Sequence, residues 1–246
     1  MKNLYISGIT GRVGLLLANK VIANSYFELS GGIASKDNDH VGNDIGSLLG
    51  KENLGIFIDK DYPQDTSIDI IIDFSSPDST LNLLSHYHSQ SIPVVIGTTG
   101  FDNSQLEIIK EFSQEQPILF APNTSSGIAI MKKILSFAGN IFPQESKVKI
   151  SETHHAEKKD SPSGTAIDLK DVIFESFSKA EIDIQSYRKG DNIGEHTISF
   201  DFGDEVIEIT HKALDRSLFA TGALLGAKWL ISKPPGFYTM LDIYSS

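Results

Sequence analysis

The chain has 246 residues, 40% hydrophobic and 22% charged, with no cysteine and a formal net charge of -11. That length carries one large domain or two modest ones, each with its own core, and the composition is that of an ordinary globular protein. The missing cysteines exclude disulfides, thiolate zinc sites, iron–sulfur clusters and thiol nucleophiles; the acidic balance argues against a nucleic-acid partner, and no apolar run reaches membrane-spanning length.

The first six residues run straight into a strand-like segment and then glycines. This is not a signal-peptide pattern, so a cytoplasmic protein is expected. Residues 4–7 read as a strand and 13–25 as a helix, with Leu16, Leu17, Val21 and Ile22 near helical spacing. Residues 27–34 form a second strand. Residues 68–74 (IDIIIDF) are a continuous apolar run, as expected of a strand buried on both faces. A helix over 77–90 opens with proline. Residues 92–96 are a strand, 103–116 a helix and 118–120 a strand. Repeated strand–helix units predict an α/β, doubly wound parallel sheet.

The pattern changes near residue 123. Helices are expected over 128–142 and 163–179, and strands over 148–152, 182–188, 196–202 and 206–211. This is the reading of an α+β domain with one open mixed sheet. A helix over 218–231 and a last strand over 237–243 follow. No internal repeat or low-complexity tract is present.

Gly8-Ile9-Thr10-Gly11-Arg12-Val13-Gly14 lies between the first strand and the first helix. The turn there is tight, and backbone amides at a helix start attract phosphate. Thr10 stands where the usual dinucleotide fingerprint has its second glycine. The bland alternative is an ordinary glycine-rich turn; its place after the first strand favours nucleotide binding. The end of the second strand, Ile33-Ala34-Ser35-Lys36-Asp37, lacks the acid that usually holds the adenosine ribose. With Lys36 nearby, this favours or tolerates a 2′-phosphate, although Lys36 reads equally well as a solvated loop residue. Asp73-Phe74-Ser75-Ser76-Pro77, Gly97-Thr98-Thr99-Gly100 and Ala121-Pro122-Asn123-Thr124 each follow an expected parallel strand. Any one of them is plain turn chemistry, but three at one sheet edge suit a cofactor rim.

The sharpest stretch is Glu152-Thr153-His154-His155-Ala156-Glu157-Lys158-Lys159-Asp160-Ser161-Pro162-Ser163-Gly164-Thr165-Ala166. Ser163 caps a helix whose first amides, at Gly164 and Thr165, can bind a carboxylate. Lys158 supplies charge or a proton, and His154 or His155 suits acid–base work near neutral pH. An anionic substrate that needs protonation fits this convergence better than a solvated loop does. Zinc fits poorly: adjacent strand histidines face opposite ways, and no third ligand stands at a familiar spacing. His196 and His211, on strand-like segments, read as structural histidines.

The block His154-His155-x-x-Lys158-x-Asp160-x-Pro162-Ser163-Gly164-Thr165-Ala166 resembles the signature of the 4-hydroxy-tetrahydrodipicolinate reductase family. The resemblance spans nearly the whole chain, including residues 8–14, Asp73-Phe74, residues 95–100, Asn123, Gly194-Glu195-His196-Thr197, residues 209–213 and Ala227-Lys228-Trp229-Leu230. It implies a Rossmann domain over 1–123 and 213–246 and an inserted substrate-binding and oligomerisation domain over 124–212. It implies His154 as the acid–base histidine and Lys158 as proton donor, with His155, Gly164 and Thr165 on the substrate. The cofactor rim it implies is Gly8, Ile9, Thr10, Gly11, Arg12, Val13, Ser35, Gly97, Thr98, Thr99, Ala121, Pro122, Asn123 and Thr124. The expected cofactor is NADPH and/or NADH, the substrate a small cyclic dicarboxylate of lysine biosynthesis, and the assembly a homotetramer, with no metal, nucleic acid or membrane. The sequence departs from the family pattern at Thr10, near Ala34, and in the short segment from Tyr187 to Gly194. Two alternatives stand beside this reading: a reductase of another imine or carbonyl on the same plan, and a nucleotide-binding sensor without chemistry.

Overall fold

The computed structural model describes residues 1–64, 67–144, 146–177 and 179–245. They form two compact units, Met1–Thr124 with Ser217–Ile243, and Ser125–Arg216 with the C-terminal residues from Tyr244.

The first unit is a seven-stranded, all-parallel sheet. Its strands are β1 (Lys2–Ser7), β2 (Phe27–Ile33), β3 (Ile58–Asp59), β4 (Ile70–Asp73), β5 (Val94–Ile96), β6 (Pro117–Phe120) and, far along the chain, β11 (Gly236–Tyr238). The order is β11-β6-β5-β4-β1-β2-β3. The direction of winding therefore reverses between β1 and β4, and the crevice beyond their carboxyl ends is where such sheets bind ligands. Ile70, Ile71 and Ile72 are fully buried because helices cover both faces. On one face lie α1 (Arg12–Ile22) and α7 (Ser217–Leu230), which pack on each other. Tyr5, Ile71, Val94 and Ile96 point to the other, into a core shared with α3 (Pro77–Tyr87) and α4 (Asn103–Phe112). Truncating any of these isoleucines to alanine costs about 2–5 kcal/mol. Gly226 lets α7 come close to the sheet, since a Cβ there would lie 2.5 Å from Leu119.

The second unit has a four-stranded mixed sheet built from β7 (Lys147–His154), β8 (Glu181–Arg188), β9 (Glu195–Asp201) and β10 (Val206–Lys212), in the order β10-β9-β7-β8. β7 and β8 are parallel; β9 is antiparallel to β7 and to β10. Helices α5 (Ser126–Ala138) and α6 (Gly164–Ser176) bury Val148, Ile150, Ile198 and Phe200.

The α/β and mixed-sheet expectations are met, with shifted ends. α1, α4 and α5 stop three or four residues earlier than expected. The strand expected over 148–152 continues to His154. The expected last strand shrinks to β11 and a 3-10 turn, Asp242–Tyr244. Ser178, inside the helix expected over 163–179, lies outside the described residues. Two short elements went unforeseen, α2 (Ile45–Leu48) and β3. Among the described residues no helix is long and apolar enough to cross a membrane.

Candidate active site

In the first unit the glycine turn follows β1 at the switch point. Gly8 has φ +77°, and a Cβ there would lie 2.2 Å from the Phe74 carbonyl, so only glycine fits. Gly14 lies under the same turn, where a Cβ would come within 2.3 Å of the Gly8 carbonyl. Side chains cap α2 to α6, at Asp44, Ser76, Asp102, Ser125 and Ser163. No side chain caps α1, which begins after Gly11. Its first-turn amides are left for an anion, and the helix dipole favours one there.

A cleft of about 400 Å³ opens at that point. Gly11, Arg12 and Val13 form one wall, Gly97, Thr98 and Thr99 another, and Pro122 and Thr124 a third. Phe74, Ser75 and Phe219 complete it; Phe219 gave no signal in the sequence and is placed there by α7, with its carbonyl accepting from the Thr124 hydroxyl at 2.8 Å. The other expected rim residues stand back from the cleft. Ile9 is fully buried in the core. Thr10 accepts from Asn38 Nδ2 at 3.2 Å, tying the turn to the loop after β2. Ala121 is buried, and Ser35 is exposed in a turn with its carbonyl bonded by Asn38 N–H.

Beneath the cleft lies Asp73, fully buried. Its carboxylate accepts from the hydroxyls of Ser75 at 2.6 Å, Thr80 at 2.5 Å and Thr98 at 2.7 Å. Thr98 in turn accepts from Ser75 N–H at 2.9 Å. One carboxylate thus fixes the loops after β4 and β5 and the first turns of α3. These residues fit a dinucleotide: an uncapped helix start for the phosphates, glycines where backbone must come close, and hydroxyl-bearing loops along the rim.

The second unit holds the histidines. β7 alternates buried and open positions, so Val148, Ile150, Glu152 and His154 share one face. The first two pack on helices; the last two carry the apolar face on into polar chemistry. The register sets Glu152 beside Ser186 of β8 and His196 of β9, and His154 beside Arg188. Glu152 is fully buried, His154 8% exposed and His196 4% exposed.

Both oxygens of Glu152 are in use. His154 Nδ1–H donates to Oε2, and Oε1 accepts from Arg188 Nη1 at 3.1 Å and Ser163 N–H at 3.3 Å. Burial would raise the Glu152 carboxyl, but hydrogen bonds from Ser186 and Arg188 and the charges of His154 and Arg188 outweigh it and hold it below the usual glutamate range. For His154, burial wins: it lowers the imidazole despite Glu152, with Lys158 and Arg188 pushing the same way. Burial, with further pressure from His154, pushes His196 down to about 4. His196 lies edge-on to His154, their rings 5.1 Å apart.

Glu152, His154 and His196 bring three potential metal ligands within 4.8 Å of one another. His196 comes from another strand, so no spacing in the sequence marks it as a third ligand. The set suits a metal poorly all the same: the Arg188 guanidinium already sits on the carboxylate, and a hydrogen fills the space between Glu152 and His154.

His155 lies just past the end of β7, half-buried. Lys158 follows in a turn, its N–H donating to the His155 carbonyl, and its ammonium lies 2.8 Å from Asp160. That contact holds the Asp160 carboxyl below its ordinary value. Arg188 reaches back over this loop, donating from Nε to the Lys158 carbonyl and from Nη2 to that of Asp160. Ser163 Oγ accepts from Ala166 N–H at 3.2 Å, which leaves its hydrogen for His196 Nε2 at 3.4 Å. Gly164 opens α6 onto free space: a Cβ there would meet nothing within 4 Å. His211 is structural, within 3.3 Å of Ser125, the cap of α5.

Comparison with known proteins agrees across both units. Residues 2–124 match the family model for dihydrodipicolinate reductase, N-terminus, and residues 127–244 that for its C-terminus. The chain is 36% identical to the 4-hydroxy-tetrahydrodipicolinate reductase of Hahella chejuensis, over 99% of this chain and 98% of the relative. It is 34% identical to that of Syntrophus aciditrophicus, with the same coverage. Its fold is similar to that of a dipicolinate-bound dihydrodipicolinate reductase from Paenisporosarcina sp. TG-14, with TM-score 0.76, 22% identity and 97% of each chain covered. An amine dehydrogenase from Mycobacterium smegmatis shares the fold at TM-score 0.73 and 10% identity, over 97% of this chain and 95% of the other.

Proposed function

This chain belongs to the dihydrodipicolinate reductase family, and we infer that it reduces 4-hydroxy-tetrahydrodipicolinate to tetrahydrodipicolinate in lysine biosynthesis. It is an oxidoreductase. The reaction takes in one hydride and one proton and releases one water. When bound, a nicotinamide supplies the hydride.

The chain's own residues handle the protons and the carboxylates. Lys158 gives a proton from its ammonium. His154, kept neutral by burial, turns a bare Nε2 to the substrate, takes up the proton that the ring carbon loses in the dehydration and returns it to the departing hydroxide as water. The amides of Gly164 and Thr165, at the start of α6, hold one carboxylate of the substrate, which takes the place of Asp160 on the Gly164 amide, and His155 is a further contact to the substrate. The observation that carries this reading is the polar end of β7, where a buried Glu152–His154 pair sits next to Lys158 and a helix start facing open space.

Arg12, Val13, Gly97, Thr98, Thr99, Pro122 and Thr124 would hold the dinucleotide, with Gly8, Ile9, Thr10, Gly11, Ala121 and Asn123 shaping the backbone around it. NADPH is the favoured coenzyme, since no carboxylate ends β2 and Lys36 stands nearby. The protein works in the cytoplasm as a homotetramer assembled through the inserted domain. The outer side of its sheet, with exposed Tyr187 and Val206, supports this.

The test is oxidation of NADPH and of NADH with the condensation product of pyruvate and aspartate semialdehyde, made in situ by a coupling synthase. Rapid oxidation is expected, lost in His154→Ala and reduced about 10²-fold or more in Lys158→Ala. No oxidation by folded, cofactor-binding protein would overturn the assignment, as would equal rates on monocarboxylate analogues. Light scattering at four times the chain mass checks the assembly.

A further inference from the structure

We propose that Glu152 is a positioning residue for the reaction: its buried carboxylate accepts the Nδ1–H of His154, which fixes the tautomer and aims Nε2 at the substrate, while Arg188 holds that carboxylate and the Lys158 loop in one arrangement. The proposal rests on the reading of His154 given above.

Three observations converge on it. Glu152 is buried and accepts from His154, Arg188 and the Ser163 amide at once, so neither it nor the imidazole can rotate without breaking a bonded set. A carboxylate only accepts, so the proton between Glu152 and His154 belongs to Nδ1 and Nε2 is left bare. Nε2 then faces Gly194, where a Cβ would stand only 3.1 Å away. The chain keeps space clear beside the one ring nitrogen that is free to react.

Arg188 extends the arrangement. It comes from β8, directly beside His154 in the register. One guanidinium joins Glu152 to the carbonyls of Lys158 and Asp160, so the base and the acid of the reaction share an anchor. The charged and titratable groups that face His154 are Glu152 on its own strand, Arg188 from β8, His196 from β9 and Lys158 from the loop. Glu152 alone among them is an anion, and it alone favours the imidazolium. The logic is that of any histidine oriented by a carboxylate: an amide in its place permits the wrong tautomer.

The experiment is nitrogen-15 NMR of histidine-labelled enzyme near neutral pH, with His154 assigned by its loss in His154→Gln, alongside steady-state kinetics of Glu152→Gln and Glu152→Asp. In the wild type, His154 should carry its proton on Nδ1. Glu152→Gln should lose that fixed tautomer, move the His154 titration to lower pH and cut kcat by on the order of 10²-fold, with the NADPH dissociation constant unchanged. Glu152→Asp should recover part of the rate. A proton on Nε2 in the wild type would overturn the proposal, as would a Glu152→Gln enzyme with unchanged kcat and tautomer. Should the variants not fold, the wild-type spectrum still decides. Full turnover by His154→Gln would overturn the reading of the reaction itself, separately from the tautomer.

Discussion

Lys36 and Asp61 form an ion pair at 2.8 Å beyond the end of β2, with side chains 68% and 70% exposed. Lys36 is the cation available to a 2′-phosphate in a loop without the usual ribose-binding acid, and at rest it is held by a neighbour. An exposed pair of this kind is weak and screened by salt, so a phosphate can displace Asp61. Asp61→Asn should lower the KM for NADPH by roughly two- to fivefold at low ionic strength and leave that for NADH unchanged. Lys36→Ala should raise only the NADPH value. Equal effects on both coenzymes would remove Lys36 from specificity.

Asp73 yields a prediction about stability and binding together. Three hydroxyls donate to one fully buried carboxylate. In Asp73→Asn a donating NH₂ replaces one acceptor oxygen, which costs about 1–3 kcal/mol for the group left unpaired. Thr98→Val also strands the Ser75 amide and should cost about 1 kcal/mol. Urea unfolding measures both. Because these bonds fix two loops of the cleft, both variants should also bind NADPH more weakly, which fluorescence titration reads directly.

The sequence made the strands of the first unit legible, because residues 70–72 and 94–96 are apolar runs that only a two-sided burial explains. It did not reveal β3 or α2. Two and four residues are too few for a period, and the segment is organised instead by Asp44, whose carboxylate accepts from the amides of Gly46, Ser47, Leu54 and Gly55. In the second unit the site's core was visible as a motif, while its partners were not. The strand expected over 148–152 stopped at Glu152, two residues past the last apolar one, yet the alternation of burial runs on to His154. His196 read as a structural histidine and Arg188 as a strand end; only the register of β8 and β9 against β7 brings them to Glu152 and His154. Pairing across 36 or 44 positions leaves no trace in local spacing.

Gly194 offers a steric test of which nitrogen reacts. A methyl group at this position would stand 3.1 Å from His154 Nε2 and 3.4 Å from Cδ2. Gly194→Ala should therefore lower kcat by about tenfold or more, as small misplacements at a reacting centre do, with little change in NADPH affinity. The same substitution at Gly164, which faces open space, should perturb substrate KM more than kcat. Single-turnover and steady-state rates separate the two.

His196 makes stability depend on pH in a predictable direction. Its pKa is pushed down to about 4, first by burial and then by the charge of His154, against an ordinary value of about 6.5 in the unfolded chain. Between those values the unfolded state takes a proton that the folded state refuses, so stability falls as pH drops from about 6.5 toward 4. Above that window the effect vanishes, because the imidazole is neutral in both states. The full span is worth on the order of 3 kcal/mol. Urea unfolding at fixed protein concentration should show His196→Asn losing less stability than the wild type between pH 7.5 and 4.5. The difference isolates His196, since the carboxylates that also titrate there are common to both proteins. Parallel losses would mean that His196 takes up its proton in the folded state, with Ser163 rotating to accept it.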